Sequence, residues 1–101
     1  MLGIEKRFIR WLHAIKYIKK TFENCNLEKL FENNKKITFI ACTFINCFHS
    51  AGTGINYNIE LKFSTNCKFI GEWEHILCNK ITYSKCKFDE FTYSNMVLWL
   101  I

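Results

Sequence analysis

Three features of this 101-residue chain predict a mainly β fold with one N-terminal amphipathic α-helix, the β part being a small solenoid. The first is a motif that occurs four times, as Phe22-Glu-Asn-Cys25-Asn-Leu27, Phe39-Ile-Ala-Cys42-Thr-Phe44, Ser64-Thr-Asn-Cys67-Lys-Phe69 and Tyr83-Ser-Lys-Cys86-Lys-Phe88. A period of about twenty residues marks stacked units that each add one rung to a shared core. The second feature is a step of five in residues 35–49 and 76–95. The third is a helical spacing of apolar residues at the start of the chain.

In that opening segment Ile4, Phe8, Trp11, Leu12, Ile15, Ile18 and Phe22 follow steps of three and four, which traces one stripe of an amphipathic helix over residues 1–22. Lys6, Arg7, Arg10, His13, Lys16 and Lys20 lie opposite, with Lys19 nearby. Residues 1–20 hold six basic side chains and one acidic, whereas residues 21–101 hold eight of each, so the net charge of +5 falls in this segment. A solvated basic face and a docking surface are both consistent with the pattern. A docking surface would meet anionic headgroups, nucleic-acid phosphates or an acidic protein. The segment is also similar to a mitochondrial presequence, although serine is missing and lysine outnumbers arginine.

Asn24, Asn26, Asn33 and Asn34 give residues 23–36 a turn-rich composition that should end the helix, leaving residues 23–101 as a β-repeat domain. Fives then run as Lys-Ile37-Thr-Phe39-Ile, Ala-Cys42-Thr-Phe44-Ile and Asn-Cys47-Phe-His49-Ser. They return as Ile76-Leu-Cys78-Asn-Lys, Ile81-Thr-Tyr83-Ser-Lys, Cys86-Lys-Phe88-Asp-Glu and Phe91-Thr-Tyr93-Ser-Asn. These pentads resemble a pentapeptide-repeat protein, and the resemblance covers about a third of the chain. It implies a right-handed β-solenoid with four short faces per coil. By position, Phe39, Phe44, Cys78, Tyr83, Phe88 and Tyr93 would be central inward residues. Ile37, Cys42, Cys47, Ile81, Cys86 and Phe91 would fill the inward positions before them. Some members of that family are acidic mimics of DNA that bind topoisomerases, a role that does not carry over to a chain that is neutral over residues 21–101.

Between the two runs, Ser50-Ala-Gly52-Thr-Gly54 is a turn signal. Ile55, Tyr57, Ile59, Leu61 and Phe63 then alternate with Asn56, Asn58, Glu60 and Lys62, the signature of a half-buried strand. This strand also opens a competing α+β fold, in which the helix packs on an antiparallel sheet built from residues 37–48 and 55–63. The tail, Met96-Val-Leu98-Trp99-Leu-Ile101, is wholly apolar and reads as a final strand or end cap.

Half the residues are apolar and 17% aromatic, so some apolar surface should meet a partner or a lipid surface. A spanning helix is excluded, because no run approaches about 18 consecutive apolar residues. The six cysteines lack a Cys-x-x-Cys pair, and charges stud the N-terminal segment where a signal peptide would be apolar. Reduced, metal-free thiols in an intracellular compartment, cytoplasm or organelle matrix, are therefore expected, with membrane-peripheral placement allowed. For catalysis the candidates are Cys47 with His49 and His75 with Cys78, but repeat cysteines read more simply as small core residues. Glu72 with Glu74 and Asp89 with Glu90 read as turn residues, and Gly52 with Gly54 lacks the remainder of a phosphate-binding loop.

The expected function is non-enzymatic, without cofactor, metal or small-molecule substrate. The chain reads as a structural or interaction protein, a small subunit of a larger assembly. It would dock through its helix, with Arg7, Phe8, Arg10, Trp11, Ile15, Lys16, Lys19 and Lys20 as the binding residues. The alternative is a nucleic-acid or ribosome-associated protein that contacts phosphates through the same residues. Partners in view are a protein assembly, an anionic membrane surface and nucleic acid.

Overall fold

The computed structural model describes residues 14–49, 56–90 and 92. Its elements are β1 (Ala14–Ile18), β2 (Thr21–Glu23), α1 (Glu28–Asn33), β3 (Lys36–Ile40), β4 (Thr43–Ile45), β5 (Asn56–Ser64), β6 (Lys68–Ile70), β7 (Leu77–Ser84) and β8 (Lys87–Phe88). Every strand pairing is parallel, in a first sheet ordered β1-β3-β5-β7 and a second ordered β2-β4-β6-β8. Each coil therefore adds one strand to each sheet, and the protein is a parallel β-solenoid. Parallel pairing throughout these residues overturns the antiparallel alternative.

The N-terminal helix is corrected as well. Its second half is strand: β1 pairs with β3 from Ala14↔Lys36 to Ile18↔Ile40, and β2 pairs with β4. The helix α1 is six residues long, and it lies in the stretch read as turn. The reason is that local spacing fits two periods at once. Ile15 and Phe22 suit a helical stripe, but Ile15 and Tyr17 also alternate with Lys16 and Ile18. Pairing with Ile37 and Phe39 satisfies the backbone and the core together, which a lone helix cannot do. The expectations for Arg7, Phe8, Arg10, Trp11, the turn 50–54, Phe91, Tyr93 and the tail 96–101 lie outside the described residues.

The alternating stretch after residue 55 is β5. Tyr57, Ile59, Leu61 and Phe63 are buried, while Asn56, Asn58, Glu60 and Lys62 are exposed. In-register pairing then makes two columns of rings. Tyr17, Phe39, Phe63 and Tyr83 stack at 5.5, 4.9 and 5.0 Å, with planes within 13° of each other. Phe22, Phe44, Phe69 and Phe88 stack at 5.1, 5.1 and 4.8 Å. The separation follows from the strand spacing of about 4.8 Å. Between columns the rings meet edge-on, as Phe39 does Phe44. Trp73 packs on Phe69 and Phe63 and donates its indole N–H to the Tyr83 hydroxyl at 3.1 Å, which supplies the partner that a buried tyrosine needs. Burial pushes the Tyr83 phenol well above its ordinary range.

Two corners turn each coil, both with residues in the left-handed region. Between the sheets these are Lys19, Ala41, Thr65 with Asn66, and Lys85, at φ of 53° to 66°. After the second sheet they are Asn24, Asn46 and Gly71, at 48° to 75°. The coil through Thr65 has one corner residue more than its neighbours. That insertion corrects the repeat alignment, because Phe63 and not Ser64 pairs with Phe39 and Tyr83. Cys25 is shifted too. The bridge Asn26↔Phe48 sets it beside Cys47, whereas Cys42, Cys67 and Cys86 share the slot that Lys20 fills in the first coil. Gly71 takes this corner at φ 75°, and a Cβ there would overlap the Asn46 side-chain oxygen, which accepts the Glu72 N–H. α1 is bounded by asparagines, with Asn26 accepting the Glu28 N–H and Asn34 donating to the Leu30 carbonyl. Its buried Phe31 meets Tyr57 edge-on.

The Cys-x-Phe residues of the last three repeated motifs, which the repeat places in one core, lie in one cluster. Cys42, Phe44, Cys67 and Phe69 are buried, and Cys86 and Phe88 pack half-buried against them. Replacing Phe44 by Ala should cost about 3–5 kcal/mol in a urea or thermal unfolding titration, because the ring has neighbours above, below and beside it.

Asp89 closes the last described coil. Its carboxylate accepts the Thr92 and Gly71 N–H groups, each at 2.8 Å. The Thr92 hydroxyl and amide, and then the Gly71 amide, hold its carboxyl below the ordinary carboxylate range. A depressed folded-state pKa contributes stability that is fully present above the unfolded value of about 3.9 and is lost as pH falls through the folded value. Asp89→Asn should therefore lower Tm at neutral pH, and the difference from wild type should close in acid.

Candidate functional site

Charge that is balanced along residues 21–101 is separated by the fold. On the outer face of the first sheet, parallel register builds the rows Ala14↔Lys36↔Glu60↔Lys80, Lys16↔Thr38↔Lys62↔Thr82 and Ile18↔Ile40↔Ser64↔Ser84. Four lysines thus share a face with one acid. Lys68 and Lys87 pair on the outer side of the second sheet, and Lys19 and Lys85 stand at the corner between the sheets. Apart from Glu23 and Glu60, the described acids fall after the second-sheet strands. They are Glu28 and Glu32 on α1, then Glu72, Glu74, Asp89 and Glu90.

A shallow groove of about 350 Å³ runs across the lysine face, lined by Lys36, Glu60, Leu61, Lys62, Lys80 and Thr82. It sits beside a β-bulge, where the pairing of β5 with β7 slips between Tyr57 and Glu60. The Asn79 amide donates to Asn58 across this irregularity. A bulge re-aims the side chains that follow it, and here those are Glu60 and Lys80. Glu60 stands between Lys36 and Lys80 in its row, which offsets the mutual repulsion of the two cations and leaves the face basic. Such an arrangement can hold several anionic groups at once.

Of the docking residues expected from sequence, Lys16, Lys19 and Lys20 are exposed, whereas Ile15 turns inward and is half-buried. Only Lys16 belongs to the rows of the first sheet. Lys36, Lys62 and Lys80 were missed. The alternation through Lys62 showed that it points outward, but no spacing in the sequence revealed that Lys36, Lys62 and Lys80 become neighbours.

The two candidate catalytic pairs are engaged structurally. Cys47 is buried and donates to the Phe22 carbonyl at 3.2 Å. His49 Nε2 lies 3.2 Å from the His75 carbonyl and 3.8 Å from the Glu74 carboxylate, and its Nδ1 lies 3.4 Å from the Tyr57 hydroxyl. Cys78 donates to the Lys80 carbonyl at 3.3 Å. Cys42, Cys67 and Cys86 each donate at 3.4 Å to a carbonyl of the preceding coil, respectively Tyr17, Phe39 and Phe63. Burial raises the Cys42, Cys47 and Cys78 thiols, and pushes that of Cys86 up to about 11, with a further rise from the neighbouring Cys67. These are thiols, not thiolates, at neutral pH.

Fold and surface together define a parallel β-solenoid with a lysine-lined sheet face. No family model, curated protein or solved structure matches the chain.

At neutral pH, Cys42, Cys47 and Cys67 should react with a disulfide reagent such as Ellman's only when the protein unfolds. Rapid labelling of these three thiols in native protein, mapped by mass spectrometry, would contradict their placement.

Proposed function

We propose that this protein is a non-enzymatic interaction scaffold, a small subunit that docks on an acidic surface through the outer face of its first sheet. The observation that carries this reading is the gathering of Lys16, Lys36, Lys62 and Lys80 around a single acid, from positions spread across the chain. The stacked core supports it by holding the backbone of the face rigid, so binding needs to order only the lysine side chains. Thiols committed to main-chain carbonyls support a structural role for the cysteines and residence in a reducing compartment. The steps of five, with Phe39, Phe44 and Tyr83 facing inward, support kinship with pentapeptide-repeat solenoids at a divergent level.

The test is retention on an immobilised sulfated polyanion such as heparin. Wild-type protein should elute only at elevated salt. A variant carrying Lys16→Gln, Lys36→Gln, Lys62→Gln and Lys80→Gln, with unchanged circular dichroism, should elute much earlier and with a shallower salt dependence. Identical elution of the two proteins would remove this face as the docking surface.

A further inference from the structure

We infer that the acidic surface met by the first sheet is an anionic lipid bilayer, an inference that rests on the docking role just proposed. Two independent features of the face select lipid. One is how the cations are spread. Lys36 and Lys80 lie two strands apart with Glu60 between them, and Lys16 and Lys62 lie two strands apart with Thr38 between them. At a strand spacing of about 4.8 Å, each pair is separated by about 10 Å, and Lys62 stands diagonally across adjacent strands from both Lys36 and Lys80 at about 7–8 Å. A flat array of point-charge lysines suits many separate headgroups, whereas a single bidentate partner is better met by arginine.

The other feature is the aliphatic margin of the same face. Ile18 is 53% exposed, with Ile40 beside it in register, and Leu77 at the opposite margin is 41% exposed. Water-exposed aliphatic groups that flank lysines gain from entering the boundary between headgroups and acyl chains, while the lysine stems extend to keep their ammonium groups among the phosphates. Against a nucleic-acid backbone these aliphatic groups would gain nothing. The outward residues of the described first sheet also include no aromatic ring on which a base could stack. No helix among the described residues is long and apolar enough to cross a membrane. Glu60, at the centre of the face, opposes binding and keeps it reversible.

Co-sedimentation of the full chain with phosphatidylcholine vesicles, with and without phosphatidylserine, tests the inference. Binding should require phosphatidylserine. Each lysine near an anionic surface contributes about five-fold to partitioning, so Lys62→Gln with Lys80→Gln should weaken binding about thirty-fold. Ile18→Ser with Leu77→Ser should weaken it at low and high salt alike. Glu60→Gln should strengthen it about five-fold, a gain that misfolding cannot mimic. A parallel arm uses duplex DNA. Binding to DNA that depends on these lysines, without vesicle binding, would overturn the lipid inference and leave the docking face standing. Vesicle binding indifferent to the lysine and Glu60 substitutions would overturn the assignment to this face. If neither vesicles nor DNA bind while heparin retention still depends on these lysines, the lipid inference falls and the docking face stands; loss of that dependence as well removes both.

Discussion

The structure depends on in-register stacking of aromatic rings along the solenoid axis. Parallel strands repeat at about 4.8 Å, close to the separation at which rings pack face to face with a small offset. Once Phe39 lies over Phe63 and Phe44 over Phe69, a slip of one residue in any coil would turn its rings to solvent and its lysines into the core. The columns therefore fix the register, and through it the two corners, the thiol positions and the outer rows of side chains.

The corners show what the columns overcome. Alanine, lysine and threonine take left-handed conformations at Ala41, Lys19, Lys85 and Thr65, each at a cost on the order of 1–2 kcal/mol. Asparagine and glycine fill the other corner, where they tolerate that region. The cysteines belong to the same solution. In the three coils after the first, a small side chain is buried or half-buried where the first corner enters the second sheet, and a thiol there can also donate to a carbonyl of the coil before it. Sterics and hydrogen bonding thus account for Cys42, Cys67 and Cys86.

The basic face follows from the same register. Alternation within β5 sends Glu60 and Lys62 outward, and pairing with β3 and β7 sets Lys36 and Lys80 beside them. Sheet faces built in this way are broad and rigid, suited to contact many weak sites on an extended surface. Six of the eight acids of residues 21–101 lie instead in the segments that follow the second-sheet strands. There Glu28 and Glu32 are balanced by Lys29 and Lys35, while Glu72 and Glu74 before β7 and Asp89 and Glu90 after β8 have no lysine beside them in sequence.

The sequence alone determined the repeat, the inward residues Phe39, Phe44, Phe63 and Phe69, and the strand after residue 55, because strand alternation and repeat spacing are local patterns that burial enforces. It misled at residues 14–22, where Ile15, Ile18 and Phe22 fit a helical stripe as well as two short strands. It also misaligned the third and first motifs, since a one-residue corner insertion at Thr65-Asn66 and a one-side shift at Cys25 leave the Cys-x-Phe or Cys-x-Leu signature intact. Only the tertiary structure decided these matters, and only it assembled the lysine face. A β-strand cannot satisfy its own backbone, so its identity and its neighbours depend on residues twenty or more positions away. For Lys36, Lys62 and Lys80 that distant pairing is the sole reason they meet.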